Sequence, residues 1–475
     1  MVFSSLDFIF KFLPVFLFLY AICPCKWKNL CLFVGSLLFY SYGVKDQPVY
    51  LLLFLFSMGI NFAIGKQIGR RRSRKRNNKK KMWLAAGLSY NFFWLFLFKY
   101  SGFLAENWNQ LASGFGLQAR LPVFQPILPI GISFYTFQAV SYLIDVYRGS
   151  AARERSFIDF GMYISMFPQL IAGPIVTYAS VEKQIKSRSS SWPMIEDGLR
   201  EFTIGLGLKV LLANQVGGLW EKVEMIGFES ISTPLAWMGL IAFSLQIYFD
   251  FYGYSLMAKG LGSVLGFRFP CNFAHPYMST SMTEFWRRWH ITLGSWFRDY
   301  VYIPLGGNRN GSWKTVRNLF VVWILTGFWH GASWNFMLWG LVLFILIFLE
   351  KAGVGKLLET RPVVGHIYML FAIPLTWLLF AVTDLSQMAV YFQRLFPFLP
   401  QSEDFVYFAG DYLKYGRLYA VSLGAGLIFM TPFPRKLYDR WKDSPISAVA
   451  LLAVFWGCVY CMKIGMDDPF LYFRF

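Results

Sequence analysis

Two of the four histidines in this sequence lie close together in a stretch that could support chemistry. His290 closes a basic, tryptophan-rich run (WRRWH), and His330 follows an apolar segment, Leu319 to Trp329. An ionisable side chain at membrane depth is costly, so by default it marks a functional site. Because the unperturbed pKa of histidine is near neutral, either imidazole could serve as a general base. The other two histidines, His275 and His366, are predicted to be interfacial and non-catalytic.

Structural alternatives exist for each of these polar residues. A histidine at the end of an apolar helix can be a satisfied interfacial group. For His290, a structural pairing with Glu284 or Asp299 stands beside a catalytic role. Asp250, in the phrase YFDFYGYS, is a lone carboxylate in an apolar helix and must be hydrogen-bonded or neutralised. We expect Asp250 to hold a histidine or an arginine.

Composition limits the class of protein that these residues belong to. The chain is 56% hydrophobic and 20% aromatic, more than the surface of a soluble domain tolerates. We therefore predict an all-α, polytopic membrane protein. The net charge of +19 falls in short basic blocks between apolar segments, which is typical of cytoplasmic loops and leaves no soluble domain for nucleic acid. Cys458 and Cys461 have no other ligand-type residue nearby, so no metal site is predicted.

The apolar segments predict about twelve membrane crossings. The predicted spans are 7–22, 28–43, 48–64, 82–100, 126–146, 200–218, 235–258, 316–332, 334–350, 364–383, 416–432 and 446–465. A further apolar stretch, 157–176, is broken at Ala172-Gly173-Pro174 and is predicted to enter the membrane and return. With the basic run Lys66 to Lys81 on the cytoplasmic side, this arrangement puts both termini outside. Residues 260–315 are too polar to cross and are predicted to form short interfacial helices on the cytoplasmic side.

Several sequence motifs of this chain occur in the same order in one known family. These are LPIGISFYTFQAVSYLIDVYRG (Leu128 to Gly149), FPQLIAGPI (Phe167 to Ile175), YFDFYGYS, WRRWH, LGGNR and GFWHGASWNFMLWG. Together they resemble the membrane-bound O-acyltransferase family, and within it the branch that acetylates bacterial exopolysaccharides such as alginate. The resemblance runs nearly end to end. It implies one membrane-embedded domain, 1–475, with a catalytic core at about 126–350 and a tail at 466–475.

The resemblance also implies roles for individual residues. His330 matches the family's catalytic histidine, and His290 matches the second histidine of the bacterial branch, where it could orient the donor thioester or polarise its carbonyl. Asp250 and Asn335 are assigned supporting roles. Another acid often follows the GYS phrase in the alginate branch, but Leu256 stands there in this chain. A mechanism that needs a second carboxylate at that place is therefore in doubt.

The C-terminal phrase FLYFRF is similar to the F-x-Y-F ending that acyltransferases of this kind, or their small partners, place outside the cell. That similarity implies that Tyr472 relays the acyl group to an outer acceptor. The alternative is an aromatic belt at the membrane interface.

The implied reaction moves an acetyl group from a cytosolic thioester, acetyl-CoA or an acyl carrier, to an exopolysaccharide. The implied partner is an extracytoplasmic SGNH-type acetyltransferase, and the implied location is the bacterial cytoplasmic (inner) membrane. No bound cofactor is expected. A D-alanyl or peptidoglycan acyltransferase of the same fold is the enzyme alternative. A transporter of lipid-linked sugars is the alternative from another class, although it would need neither a buried base nor a terminal tyrosine.

Overall fold

A computed structural model describes residues 2–69, 77–118, 120–170, 173–309, 311–399, 408–465 and 471. Throughout these residues the regular structure is helical, and they contain no β-strand. An all-helical chain satisfies its backbone hydrogen bonds within each segment, as a membrane interior requires. The all-α prediction is confirmed.

The α-helices are numbered in chain order. They are α1 Leu13–Ile22, α2 Lys28–Gly43, α3 Val49–Ile68, α4 Asn77–Lys99, α5 Ser101–Gly114, α6 Ile132–Arg148, α7 Phe157–Ser165, α8 Phe167–Leu170, α9 Tyr178–Lys186, α10 Trp192–Gly207, α11 Asn214–Ile226, α12 Thr233–Val264, α13 Met282–Arg288, α14 Ile291–Phe297, α15 Ser312–His330, α16 Trp334–Leu349, α17 Gly355–Thr360, α18 Pro362–Ala381, α19 Leu385–Leu395, α20 Asp411–Phe429, α21 Phe433–Trp441 and α22 Pro445–Lys463. Among the described residues, the π-helical segments Asp7–Phe12, Leu208–Ala213, Arg298–Tyr302 and Glu350–Val354 join or extend these helices.

Every predicted span overlaps helix, although residues 126–131 precede α6 and 430–432 follow α20. Within the described ranges, six continuous helical segments are both long and apolar enough to cross a membrane: Val49–Ile68, Trp192–Ile226, Thr233–Val264, Trp334–Thr360, Pro362–Ala381 and Pro445–Lys463. The protein is therefore a membrane protein. The count of twelve crossings and the sidedness of the termini stay predictions, and residues 70–76 of the basic run lie outside the described residues.

The chain forms two compact units: Met1–Leu199 with Ala258–Pro270, and Arg200–Met257 with Cys271–Phe475. In the first unit, the stretch predicted to be re-entrant contains α7 and α8, which have nine and four residues. At about 1.5 Å per residue these helices span roughly 13 and 6 Å, too short to cross a hydrocarbon core of about 30 Å.

The backbone between and after these two short helices is hydrogen-bonded by side chains. The Ser36 hydroxyl accepts from the amide of Phe167 at 3.2 Å, and the Tyr163 hydroxyl donates to the carbonyl of Val176 at 3.0 Å. Irregular backbone survives at membrane depth only when its polar groups are satisfied. Entry and return of this segment stay a prediction. Gly173 and Pro174 are non-helical, and Ala172 lies outside the described residues.

In the second unit, α15 and α16 pack backbone to backbone. A Cβ added at Gly340 would lie 2.6 Å from the carbonyl oxygen of Trp323, and one added at Gly327 would collide with the carbonyl of Phe336. Small residues allow such close approach between helices in membranes. This contact sets the position of His330, which ends α15, against the start of α16.

A second close contact joins α10 and α12 within the same unit. A Cβ at Gly253 would lie 2.6 Å from the carbonyl oxygen of Gly205. Lys209 follows Gly205 by one helical turn, and Asp250 precedes Gly253 by about one turn. Because the two helices run in opposite directions, this glycine pair places Lys209 opposite Asp250.

We predict that Gly340→Ala destabilises the protein. A methyl group has no room beside the Trp323 carbonyl, and overpacking of this kind costs about 1–3 kcal/mol. Gly424→Ala in α20 is the matched control, because among the described residues no heavy atom lies within 4 Å of an added Cβ there. Thermal unfolding in detergent should show a lower transition for Gly340→Ala alone. Equal transitions for the two variants would disprove the packing argument.

Candidate functional site

The tryptophan-rich run is held by a carboxylate from a distant part of the sequence. Glu350 accepts hydrogen bonds from the amides of Met282 and Thr283 at 2.6 and 2.9 Å and from the Thr283 hydroxyl at 2.6 Å. These amides open α13, and a negative charge at a helix N-terminus is favourable. Ser281 caps the same helix by accepting from the amide of Glu284 at 3.1 Å. Helix α13 is therefore fixed at its start, and His290 follows its end.

His290 has a backbone conformation that side chains rarely adopt. Its φ of 43° is in the left-handed region, and among the described non-glycine residues only His275 shares a positive φ. The side chain is 2% exposed, and its Nδ1 lies 3.0 Å from the Oδ1 of Asn272. The Phe251 ring packs edge-on against the imidazole at 4.7 Å between ring centroids.

The partners of Asn272 determine which nitrogen of His290 carries the proton. The Oδ1 of Asn272 also receives the amide of Thr292 at 3.3 Å, and an amide N–H can only donate. Oδ1 is therefore the acceptor, and His290 Nδ1 must be the donor. In the described part of the chain His290 Nε2 is buried without a hydrogen-bond partner, so its lone pair is available to a ligand. Burial lowers the pKa of His290 to about 3, which keeps the ring neutral at physiological pH.

His330 occupies an aromatic enclosure. Its side chain is 8% exposed, and its ring lies 5.0 Å from the Trp339 ring and 5.2 Å from the Phe380 ring, edge-on in both cases. Trp329, the neighbouring residue, lies 4.9 Å from His330 and 6.4 Å from His290 between ring centroids. One indole thus bridges the two imidazoles.

Both histidines line one cavity of about 210 Å³. Its other walls include Trp286, Trp289, Trp323 and Thr326, and Arg298 and Tyr302 also line it. Arg298 and Tyr302 bound the π-helical segment after α14, which belongs to the polar stretch predicted to face the cytoplasm. The imidazoles of both histidines and the guanidinium of Arg298 therefore line the same tryptophan-rich, largely apolar space.

Asp250 lies in α12 and pairs with a lysine. Lys209 Nζ is 2.7 Å from Asp250 Oδ1, and each side chain is 2% exposed. The described residues thus pair Asp250 with a lysine, a cation that the sequence analysis did not name, and a histidine or arginine partner stays a prediction. The backbone N–H of Leu471 donates to Asp250 Oδ2 at 2.7 Å, and Leu471 is 4% exposed. Part of the C-terminal tail therefore reaches the interior of this unit.

The alternative pairing of His290 with Glu284 or Asp299 is also wrong. Glu284 accepts from Arg288 at 2.5 Å, and Asp299 pairs with Arg298 at 2.7 Å. Both acids therefore take arginine partners from their own neighbourhood in the sequence.

The remaining residues take varied places. Asn335 is fully buried and donates to the carbonyl of Leu379 at 3.1 Å, which ties α16 to α18. His275 is half-buried, and His366 is exposed on α18. Tyr472 lies outside the described residues.

Sequence reasoning missed three residues that the structure brings into or beside the site. Asn272 sits in an irregular segment, where no periodicity predicts its direction. Glu350 looks like an ordinary charge at the end of a helix. Lys209 carried a signal, because a lone lysine in an apolar span requires a partner, and the lone Asp250 was the obvious candidate.

Sequence comparison relates this chain to known proteins. The model of the membrane-bound O-acyltransferase family matches residues 148–355. The probable alginate O-acetylase of Pseudomonas putida is 38% identical over the whole of both chains, and that of Pseudomonas aeruginosa is 38% identical over 84% of this chain and 75% of its own. The peptidoglycan O-acetyltransferase of Helicobacter pylori is 35% identical over 81% of this chain and 78% of its own.

We predict that Glu350→Ala destabilises the protein by about 1–3 kcal/mol, because the start of α13 loses a charged acceptor. Glu359→Ala, which removes an exposed carboxylate from the nearby α17, is the matched control. Thermal unfolding in detergent should separate them, with Glu350→Gln between the two because it retains one acceptor oxygen. If Glu350→Ala and Glu359→Ala unfold alike, Glu350 does not hold α13.

Proposed function

The chain belongs to the membrane-bound O-acyltransferase family and is an O-acetyltransferase, and from this premise we propose that it moves an acetyl group outward across the bacterial cytoplasmic membrane. The donor is a cytosolic thioester, and the final acceptor is an exopolysaccharide of the alginate kind. One observation carries the proposal: two buried histidines share a cavity that also reaches a cationic side chain, Arg298.

The relatives support a choice of acceptor class. The proteins named for alginate O-acetylation align at 38% identity over most or all of this chain, whereas the one named for peptidoglycan aligns at 35% over 81% of it. A teichoic acid D-alanyltransferase aligns over only 48% of this chain, at 29% identity. We therefore favour an O-acetylated exopolysaccharide over the peptidoglycan and D-alanyl alternatives.

The size of the cavity limits how the donor binds. Drug-sized ligands occupy pockets of about 300–1,000 Å³, and this cavity of about 210 Å³ is smaller. It would hold the acetyl thioester end of acetyl-CoA or of an acyl carrier arm, but not a whole nucleotide. Arg298 lines the cavity, and its guanidinium would have to exchange its partner Asp299 for the phosphate groups that both donors carry.

In the proposed step, His330 acts as the general base. A hydroxyl oxygen attacks the thioester carbonyl carbon while the imidazole takes the hydroxyl proton. The new C–O bond forms, the C–S bond breaks, and the imidazolium returns the proton to the departing thiolate. The enclosure of Trp329, Trp339 and Phe380 keeps water away from this exchange, which protects the thioester from hydrolysis.

His290 is proposed to orient the donor. Its proton is committed to Asn272, so its Nε2 can accept a hydrogen bond but cannot donate one to a carbonyl oxygen. An N–H group of the donor's amide chain is a suitable partner. This assignment favours orientation over the other possibility, polarisation of the carbonyl.

We propose that Tyr472 receives the acetyl group and passes it outward to an SGNH-type acetyltransferase, which acts on the polymer. An unperturbed phenol has a pKa near 10, so it needs a base such as His330. The resulting phenyl ester has a better leaving group than an alkyl ester, so a serine hydroxyl can take the acetyl group. Burial of the preceding residue, Leu471, supports a tail directed inward and not one lying in an interfacial belt.

We predict that His330→Ala lowers polymer acetylation about 10²–10⁴-fold while the protein still inserts and accumulates, because the base is lost. His366→Ala is the matched control, since that histidine is exposed on α18. Acetyl content of the secreted polymer, measured beside the membrane protein level, decides the matter. Near-normal acetylation by a well-expressed His330→Ala variant would refute the assignment.

We predict that Tyr472→Phe abolishes polymer acetylation, because the change removes only the hydroxyl that accepts the acetyl group. Tyr460→Phe is the matched control, since Tyr460 is 64% exposed on α22. Retention of the aromatic ring separates a relay from an interfacial anchor. Polymer acetylated as in the wild type would show that Tyr472 is an anchor.

A further inference from the structure

The Lys209–Asp250 ion pair is expensive for the protein to maintain. Both side chains are 2% exposed, and removal of two charges from water costs several kcal/mol per ion before their attraction offsets it. A pair of apolar residues of similar volume would fill the same space at no such cost, and is often neutral or stabilising. A ligand that needs a charged acceptor would account for the burial of this pair.

That ligand is present in the structure as a backbone amide. Lys209 approaches Oδ1 of Asp250, while the N–H of Leu471 donates to Oδ2 at 2.7 Å. Hydrogen bonds to ionised groups are roughly twice as strong as neutral ones. Because the donor is a backbone N–H, this hydrogen bond fixes the path of the main chain and does not depend on the side chain at position 471.

The docking point lies deep in the unit. Asp250 is close to the middle of α12, with roughly 25 Å of helix before it and 20 Å after it at about 1.5 Å per residue. The end of α22 at Lys463 is about eight residues before Leu471, a reach of roughly 26 Å. The next residue on α12, Phe251, packs against the ring of His290. Docking at Asp250 and support of His290 thus fall on consecutive residues of α12, whose side chains leave the helix about 100° apart.

We propose that the Lys209–Asp250 pair is an internal receptor for the C-terminal segment, and that it positions the chain at Leu471. Docking itself stands independently, whereas its consequence for catalysis rests on the proposed function. In that function the next residue in the chain, Tyr472, is the acyl acceptor, and docking fixes the residue before it. Lys209 and Asp250 are positioning residues that touch the tail and not the reacting atoms.

Thiol labelling of Leu471→Cys tests the docking. The six native cysteines are first replaced, and Ile464→Cys, 52% exposed at the end of α22, serves as the reference for an open thiol. Two double variants are then compared. Lys209→Met with Asp250→Leu removes both charges and the acceptor, and Lys209→Met with Asp250→Asn removes both charges but keeps an acceptor oxygen.

We expect slow labelling of Leu471→Cys when Lys209 and Asp250 are intact. Labelling should become about tenfold to hundredfold faster in the double variant with Asp250→Leu. In the double variant with Asp250→Asn, labelling should remain much slower than in the one with Asp250→Leu. Ile464→Cys should label at one rate throughout. Equal rates of Leu471→Cys labelling in both double variants, whether slow or fast, would overturn the proposal, because the acceptor oxygen would then make no difference.

Polymer acetylation in the same variants, without the added cysteine, separates docking from relay. Asp250→Leu should lose acetylation, and Asp250→Asn should restore part of it. If Leu471→Cys labels at the expected rates while Tyr472→Phe acetylates polymer normally, the docking is supported and the relay is refuted. If the two double variants label at equal rates while Tyr472→Phe loses acetylation, the docking proposal is overturned and the relay remains supported.

Discussion

The hydrogen bond between His290 Nδ1 and the Oδ1 of Asn272 is the interaction on which the site depends. In a cavity with few polar groups, a histidine can have only the proton arrangement that its partner enforces. Asn272 receives a backbone amide as well, so its orientation is fixed and the imidazole presents a lone pair to the cavity. Two carboxylates of the second unit likewise fix the groups that they contact. Glu350 holds the start of α13, and Asp250 holds Lys209 and Leu471.

Close helix packing makes these few polar contacts possible. The glycine contact between α15 and α16 brings His330 against Trp339, and that between α10 and α12 brings Lys209 against Asp250. Helices in a membrane gain no hydrophobic energy by associating, so close backbone packing and buried polar pairs must hold them. The site is therefore a product of where the small residues lie as much as of the histidines themselves.

The sequence allowed prediction of the helices, the class of protein and the two histidines of the cavity. Apolar runs and charge blocks are local signals, and each span predicted from them overlaps a helix. The partners were not predictable in the same way. Asn272 lies in an irregular segment, and Glu350 binds the start of a helix that is distant in the sequence. Both contacts depend on the tertiary structure, which no sequence periodicity encodes. Asp250 was expected to hold a histidine or an arginine, and the structure pairs it with Lys209, which lies 41 positions earlier in the chain.

The most direct test of the covalent route is a search for its intermediate. The purified protein is incubated with an acetyl thioester in the absence of any outer partner, and its C-terminal peptide is examined by mass spectrometry. We expect one acetyl group on Tyr472 in the wild type and none in His330→Ala. An unmodified tail in a wild-type protein that still consumes the thioester, or equal modification in the two proteins, would contradict transfer through His330 to the tail.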